Sequence, residues 1–324
     1  MFETKVTRML GIDHPIIGGT MAWISNAEFV AAMSRAGGMG VLASANYGSK
    51  EEFAAAIDRI RELTDKPFAV NINLFPAMRP VDNDDYTDVL VDRKVPVVET
   101  SGHAAPEALG RRFKEAGMVW IHKCVGVRYA LKAQSLGADI VTVVGYENGG
   151  ATGKLDIGTL VLIPTVVDAV DLPVIGGGGV SDGRGFLAAL ALGAQGVIMG
   201  TRLLLTKEAP LHEDLKAALL AASELDTRLV MRSIGSTHRV WANPAADKCL
   251  DLEAQGADLK TLLTVVAGDK AKVMYNTGDL SAGILACGQG VGLAREIPTV
   301  KDLFEEIIAQ ARSLAGPLAA GRIG

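Results

Sequence analysis

An eightfold alternation constrains this chain more than any other feature of its sequence. Short apolar runs recur at HPIIGGTM (14–21), GMGVLAS (38–44), PFAVNINLF (67–75), VPVVETSG (95–102), MVWIHKCV (118–125), ADIVTVVGYE (138–147), LPVIGGGG (172–179) and GVIMGTRLL (196–204). Between them lie amphipathic segments of helical length, among them SNAEFVAAMSRAGG, SKEEFAAAIDRIREL, PEALGRRFKEAG and SDGRGFLAALALG. Ser25, Ser49 and Ser181 stand where a helix N-cap belongs, and Gly37, Gly117, Gly137 and Gly193 where a helix stops, as end-capping chemistry favours. Strands that are apolar on both faces and alternate with helices build a parallel sheet covered by helices. Eight such units in series predict an α/β fold, a (β/α)8 TIM barrel, with an open doubly wound sheet as the alternative.

After Leu205 the rhythm stops. Residues 206–298 read as helices and loops, and TVKDLFEEIIAQARSLAGPLA reads as a long amphipathic closing helix. The expected division is a barrel over 1–205, a mainly helical substrate lid over 206–298, and a helix over 299–324 that packs back on the barrel. Barrel enzymes carry their chemistry at the C-terminal ends of the strands, under whatever covers that face.

Composition removes several functions. Of the 324 residues 49% are hydrophobic and 21% charged, which describes a core-rich chain. The net charge of −5, with both signs interspersed, leaves no basic stripe for nucleic acid or anionic lipid. No segment approaches the roughly 18 uncharged apolar residues of a spanning helix, and MFETKVTRMLGIDHP has no apolar signal core. A cytoplasmic enzyme with a small-molecule substrate is expected, with a homodimer as a candidate assembly. Cys124, Cys249 and Cys287 lack CxxC spacing, and His14, His103, His212 and His238 lack ligand spacing, so neither a disulfide framework nor a metal site is expected.

Two successive strand ends carry glycine: Gly176 to Gly179 on the seventh, Met199-Gly200-Thr201 on the eighth. Converging backbone N–H groups there suit an anion, and these are the loops where barrels hold a phosphate. Tight turning alone is the alternative reason for the glycines. In AVNINLF, Asn71 and Asn73 lie two apart and face the same way, which suits the edge of a heterocycle. Lys123 is a cation in an apolar strand and needs a partner. A flavin ring that gathers negative charge on reduction would supply one, and so would a structural ion pair. Its neighbour His122 points the other way and reads as packed.

The stretch GYENGGATGKLD (145–156) follows the sixth strand as a glycine-rich active-site loop does, yet holds no side chain suited to shuttling a proton near neutral pH. Together with HPIIGGTM, NINLF, IHKC, PVIGGGGVSDGRG, ALGAQGVIMGTRLL and YNTGDLSAGILACGQGVGLAREIPTV, it resembles the nitronate monooxygenase family, formerly 2-nitropropane dioxygenases, which includes related NAD(P)H:quinone reductases and enoyl reductases. The resemblance spans almost the whole chain. It implies non-covalent FMN, with the phosphate on Gly178, Gly179, Gly200 and Thr201 and the ring near Gly19, Met21, Asn71, Asn73 and Lys123. It also implies that Glu147, Gly150, Gly288 and Gln289 line the cofactor, with the segment Cys287 to Gly290 closing over it. NAD(P)H is a candidate reductant.

The family pattern E-x-G-G-H-x-G reads here Glu147 to Gly153, with Ala151 at the histidine position. Gly18 and Ala286 also depart from the pattern, where glutamine and serine are common. Loss of a poised base, worth about 10²- to 10⁴-fold, weighs heavily against oxidation of neutral nitroalkanes and less against nitronates, which arrive deprotonated. Hydride transfer to a quinone needs no base at this position, whereas an enoyl thioester needs a proton at its α-carbon. Lys123, Tyr146, Tyr275 and Tyr47 are the candidate acid–base residues, and the catalytic residue is left unassigned. Met231, Arg232, Ser233, His238, Arg239 and Trp241 could line the substrate side of the lid, Arg232 or Arg239 meeting an anionic group, or form a solvated or internally paired face. Three readings follow: nitronate oxidation, a quinone or thioester reductase or dehydrogenase, and a flavin-binding protein without turnover.

Overall fold

The computed structural model describes residues 2–74, 82–102 and 104–321; His103 and the Phe75 of the third apolar run lie outside them. All eight predicted strands form, as β1 (Ile16–Gly18), β2 (Val41–Ala43), β3 (Ala69–Asn73), β4 (Val97–Ser101), β5 (Val119–Cys124), β6 (Ile140–Val144), β8 (Val174–Gly177) and β9 (Gly196–Met199). They make one sheet in the order β1-β9-β8-β6-β5-β4-β3-β2, parallel throughout. A parallel bridge between Ile17 and Met39 joins β1 to β2 and closes the ring.

The period-two alternation of strands sorts the side chains. Ile17, Val41, Ala69, Val97, Ile121, Ile140, Ile175 and Ile198 fill the barrel interior, with Val6 and Leu10 of the helix Lys5–Leu10 packed against them. The opposite faces carry Val70, Val98, Trp120, Val141 and Val197 into a second core beneath the surrounding helices. Ser49 caps the helix Lys50–Leu63 as expected. The caps of Ala27–Arg35 and Gly183–Ala191 are Asn26 and Asp182, one residue past the serines expected there. Both have side-chain oxygens that reach the free N–H groups of the first turn.

The extension after β9 is mainly helical, with Glu213–Leu220, Pro244–Ala254, Leu259–Val266 and Gly268–Thr277. It is not helices and loops alone. Strands β10 (Thr227–Val230) and β11 (His238–Trp241) pair antiparallel, and β11 also pairs with β7 (Gly150–Ala151) from the loop that follows β6. The extension has its own small core of Val230, Met231, Val240, Ala245, Ala246, Cys249, Leu262 and Val265. The closing helix Val300–Ala319 then returns to lie against Ala27–Arg35 and Gly183–Ala191. Gly183 permits that approach: a Cβ there would come within 2.6 Å of Ile307 O, and its N–H donates to Gln310 Oε1 at 2.6 Å.

Candidate active site

Toward the C-terminal ends of the strands the barrel interior turns from aliphatic to polar. Register pairs Asn71 with Glu99, and continues Asn73, Ser101, Lys123 and Thr142 across β3 to β6. Asn71 and Asn73 thus share the inward face with Lys123, as their spacing predicts. Glu99, which sequence reasoning missed, lies at the centre and is almost wholly buried. Its Oε1 accepts from Thr20 Oγ1 at 2.9 Å and Asn71 Nδ2 at 2.7 Å, and Lys123 Nζ stands 3.7 Å away. The two charges balance, but 3.7 Å is longer than a hydrogen bond, so the ammonium keeps its donors for a further acceptor. A charge at an inward position of an apolar strand marks Glu99 in the sequence just as it marks Lys123.

On the outer face, His122 Nδ1 lies 2.8 Å from Thr100 Oγ1, which also accepts from Trp120 Nε1 at 2.8 Å. Desolvation pushes the imidazole down to about 4, so His122 is a neutral packed histidine, as its parity predicts.

Five glycine-bearing segments meet above the barrel. Gly178 and Gly179 have φ of 101° and 73°, the left-handed region that glycine enters without a steric cost. Around Gly200 a Cβ would meet only Met21 Sδ at 3.8 Å, so the backbone there borders open space. Gly19 N donates to Met199 O at 2.7 Å and holds the first strand end against the eighth. The 145–151 loop interlocks with the 286–290 segment. A Cβ on Gly149 would fall 2.7 Å from Gly288 N, and one on Gly288 would fall 2.5 Å from Glu147 O. Gln289 N donates to Glu147 O at 3.0 Å, Gly288 N to Thr201 Oγ1 at 2.8 Å, and Ser181 Oγ to Gly290 O at 2.9 Å. Gly150, with φ of 83°, sits against Ala286.

Glu147 faces inward to the protein. Its carboxylate accepts from Thr159 N at 3.0 Å and Thr159 Oγ1 at 2.8 Å, capping the helix Thr159–Val167, where a negative charge is favoured. The residue positions the loop and the glycine turn beside it.

The acid–base candidates fare unequally. The Tyr146 ring lies under the Arg239 guanidinium at 4.6 Å. Tyr275 is buried in the core, and desolvation raises its hydroxyl well above the usual phenol range. Tyr47 is likewise pushed up to about 12, chiefly by burial, then by Glu28. Both hydroxyls stay protonated at neutral pH. In the lid, Arg232 pairs with Asp156, and Ser233 Oγ donates to Glu253 at 2.8 Å, which makes this an internally paired face. Met231 and Trp241 are buried. Arg239 differs: it is buried, its Nε donates to Tyr146 O at 3.2 Å and Nη1 to Thr227 Oγ1 at 2.9 Å, while Nη2 is buried without a partner. His238 is half-buried, and its Nδ1 lies 2.8 Å from Ser236 O. Among the described residues no cluster of three or more His, Cys, Asp or Glu could hold a metal, and no helix is long and apolar enough to cross a membrane.

The nitronate monooxygenase family profile matches residues 3–310, a span that takes in every segment of this mouth. The chain belongs to the nitronate monooxygenase family. As a member it is an oxidoreductase, and its relatives divide by named activity. A Rhodococcus jostii (3aS,4S,5R,7aS)-5-hydroxy-7a-methyl-1-oxo-octahydro-1H-indene-4-carboxyl-CoA dehydrogenase is 34% identical, over 95% of this chain and 96% of its own. A Staphylococcus aureus probable nitronate monooxygenase is 28% identical, over 96% and 98%. The solved structure of FabK from Thermotoga maritima superposes with a TM-score of 0.92 at 34% identity, covering 99% of both chains.

Proposed function

We propose that this chain is an FMN-dependent oxidoreductase acting on acyl thioesters, adding or removing two hydrogens beside the thioester carbonyl. Ala151 carries the reading. A methyl group on the loop after β6, paired with the lid strand β11, leaves the mouth open to a broad substrate at the point where a large side chain would narrow it. The 34% identity to the indene-4-carboxyl-CoA dehydrogenase, against 28% to the probable nitronate monooxygenase, supports the same choice.

The residues present fit the cofactor. The left-handed pair Gly178 and Gly179 and the open backbone at Gly200 form a cradle for a phosphate, and Thr201 adds a hydroxyl already tied to Gly288. Asn73 and Lys123, on the inward face above the Glu99 cluster, would meet the polar edge of the ring. Gly19, Met21 and Asn71 would border it below, and Gly150, Gly288 and Gln289 would close the far side. The bound flavin supplies a two-electron acceptor or donor, with NAD(P)H as the reductant in the reductive direction. The chain's own part is to hold the ring, exclude water beneath the lid and present the thioester.

The test is anaerobic visible spectroscopy of the purified yellow protein. Butyryl-CoA should bleach the flavin bands, or crotonyl-CoA should restore them after reduction by NADH or NADPH. Bleaching by propyl-2-nitronate with no response to either thioester overturns the proposal in favour of nitronate oxidation.

A further inference from the structure

Among the described residues, the acid–base candidates of the mouth offer a thioester no proton acceptor on the barrel side. Glu147 is occupied as a helix cap, Lys123 is balanced by Glu99, Tyr146 is covered by Arg239, and Tyr275 and Tyr47 stay protonated. The small sheet supplies one from the lid. Its register places His238 opposite Ala151 and Arg239 opposite Gly150. Thr152 N donates to Thr237 O at 3.2 Å, which makes that pair hydrogen-bonded and makes Ala151 and His238, next in the alternation, the non-hydrogen-bonded pair. In such pairs the side chains lie closest, with about 4.5–5.5 Å between Cβ atoms on one face. The imidazole therefore stands beside the methyl of Ala151, on the same side of the sheet.

The location is the catalytic rim. Ala151 belongs to the loop at the C-terminal end of β6, and a Cβ on the nearby Gly153 would touch Val125, which directly follows β5 and its inward Lys123. The ring is also oriented. Ser236 O is solely an acceptor, so the 2.8 Å contact makes Nδ1 an N–H donor, and the tautomer this selects for the neutral ring carries its lone pair on Nε2. The charged neighbours are Lys154, which abuts Gly235, and the Arg232–Asp156 pair; among the described residues no carboxylate is paired with His238.

We propose that His238 is the catalytic acid–base residue of this site, an inference that rests on the thioester reading. In the oxidative direction Nε2 takes the α-proton: the Cα–H bond breaks, its electron pair remains in the thioester enolate, and an Nε2–H bond forms. The β-hydrogen would leave with its electron pair as hydride, for which a bound flavin would supply the two-electron oxidant, as the α,β double bond forms. In the reductive direction the same N–H returns the proton to the α-carbon.

The experiment compares wild-type holoenzyme with H238A and H238Q. Single-turnover flavin reduction by butyryl-CoA should slow about 10²- to 10⁴-fold in both and recover partly in H238A on adding free imidazole, with flavin content and melting temperature held near wild type. Rates within threefold of wild type overturn the assignment. A second readout does not need turnover. The chain has five histidines, so the resonance missing from H238Q identifies the His238 ring in ¹H–¹³C spectra. It should shift when acetoacetyl-CoA is added to the holoenzyme. A shift with propyl-2-nitronate alone keeps His238 in the site and overturns the thioester reading; no shift with either ligand overturns the placement of His238.

Discussion

The barrel sheet and the lid sheet are held by different forces. Below their polar C-terminal ends the eight barrel strands are mainly apolar on both faces and bury one row of side chains inside the ring and another beneath the helices, so the hydrophobic effect fixes each strand by its own residues. The lid sheet mixes charged and apolar residues in four-residue strands, His238 to Trp241 and Thr227 to Val230, and takes its third strand, Gly150–Ala151, from a barrel loop. Its position depends on pairing between segments remote in the chain. A sheet of the first kind supports a site. One of the second kind couples a cover to the loop beneath it, so whatever displaces β11 also displaces the mouth.

Substitutions on the two cores should break this comparison most sharply. Trp120 is fully buried, packed against Gly110 and hydrogen-bonded to Thr100, and W120A should lower global stability by about 4 kcal/mol in urea unfolding. L262A, in the small lid core, should cost about 2 kcal/mol and express it locally. Hydrogen exchange should accelerate through residues 227–266 while β3 to β6 stay protected. Equal acceleration in both regions would show that lid and barrel unfold as one unit.

Acid should act on the barrel through His122. Burial lowers its folded pKa from 6.5 to about 4, so between these values the unfolded chain binds a proton that the folded chain refuses. Stability is therefore full above pH 6.5, falls by roughly 3 kcal/mol as pH drops to 4, and levels below. His14, also lowered chiefly by burial, adds in the same direction. Melting temperature against pH should show this slope in wild type and a flatter one in H122N, after allowing for its lower starting stability.

The smallest effect sharpens the coupling between the two sheets. T201V removes the oxygen that accepts from Gly288 N at 2.8 Å and should loosen the 286–290 segment by about 1 kcal/mol. On the proposed FMN reading, the expected sign is a severalfold rise in the FMN dissociation constant, measured by recovery of flavin fluorescence. An unchanged constant would mean that the remaining contacts, Gln289 N to Glu147 O, Ser181 Oγ to Gly290 O and the interlock with Gly149, suffice to hold the segment.

How much of this was legible followed the same division. The barrel strands, the inward alignment of Asn71, Asn73 and Lys123, and the packed His122 all follow from apolar runs and period-two parity. Glu99 was legible by the same rule and was overlooked. The lid strands were not legible: Gly150-Ala151 has no strand propensity, and its partner lies far along the chain, as Arg239 and Tyr146 do at 93 residues apart. Nor does sequence show that Glu147 caps Thr159–Val167, because the cap is made 12 residues downstream by a fold that brings the two together.

The returning helix Val300–Ala319 covers a surface that Ala27–Arg35 and Gly183–Ala191 leave open. A ribosome reaches that helix only after making the extension, residues 206 to 298, which takes about 5–20 s at 5–20 residues per second. During that interval the nascent barrel exposes the apolar wall around Gly38 where Phe304 later packs. The extension is thus synthesised onto an unfinished barrel, which the helix Val300–Ala319 then seals.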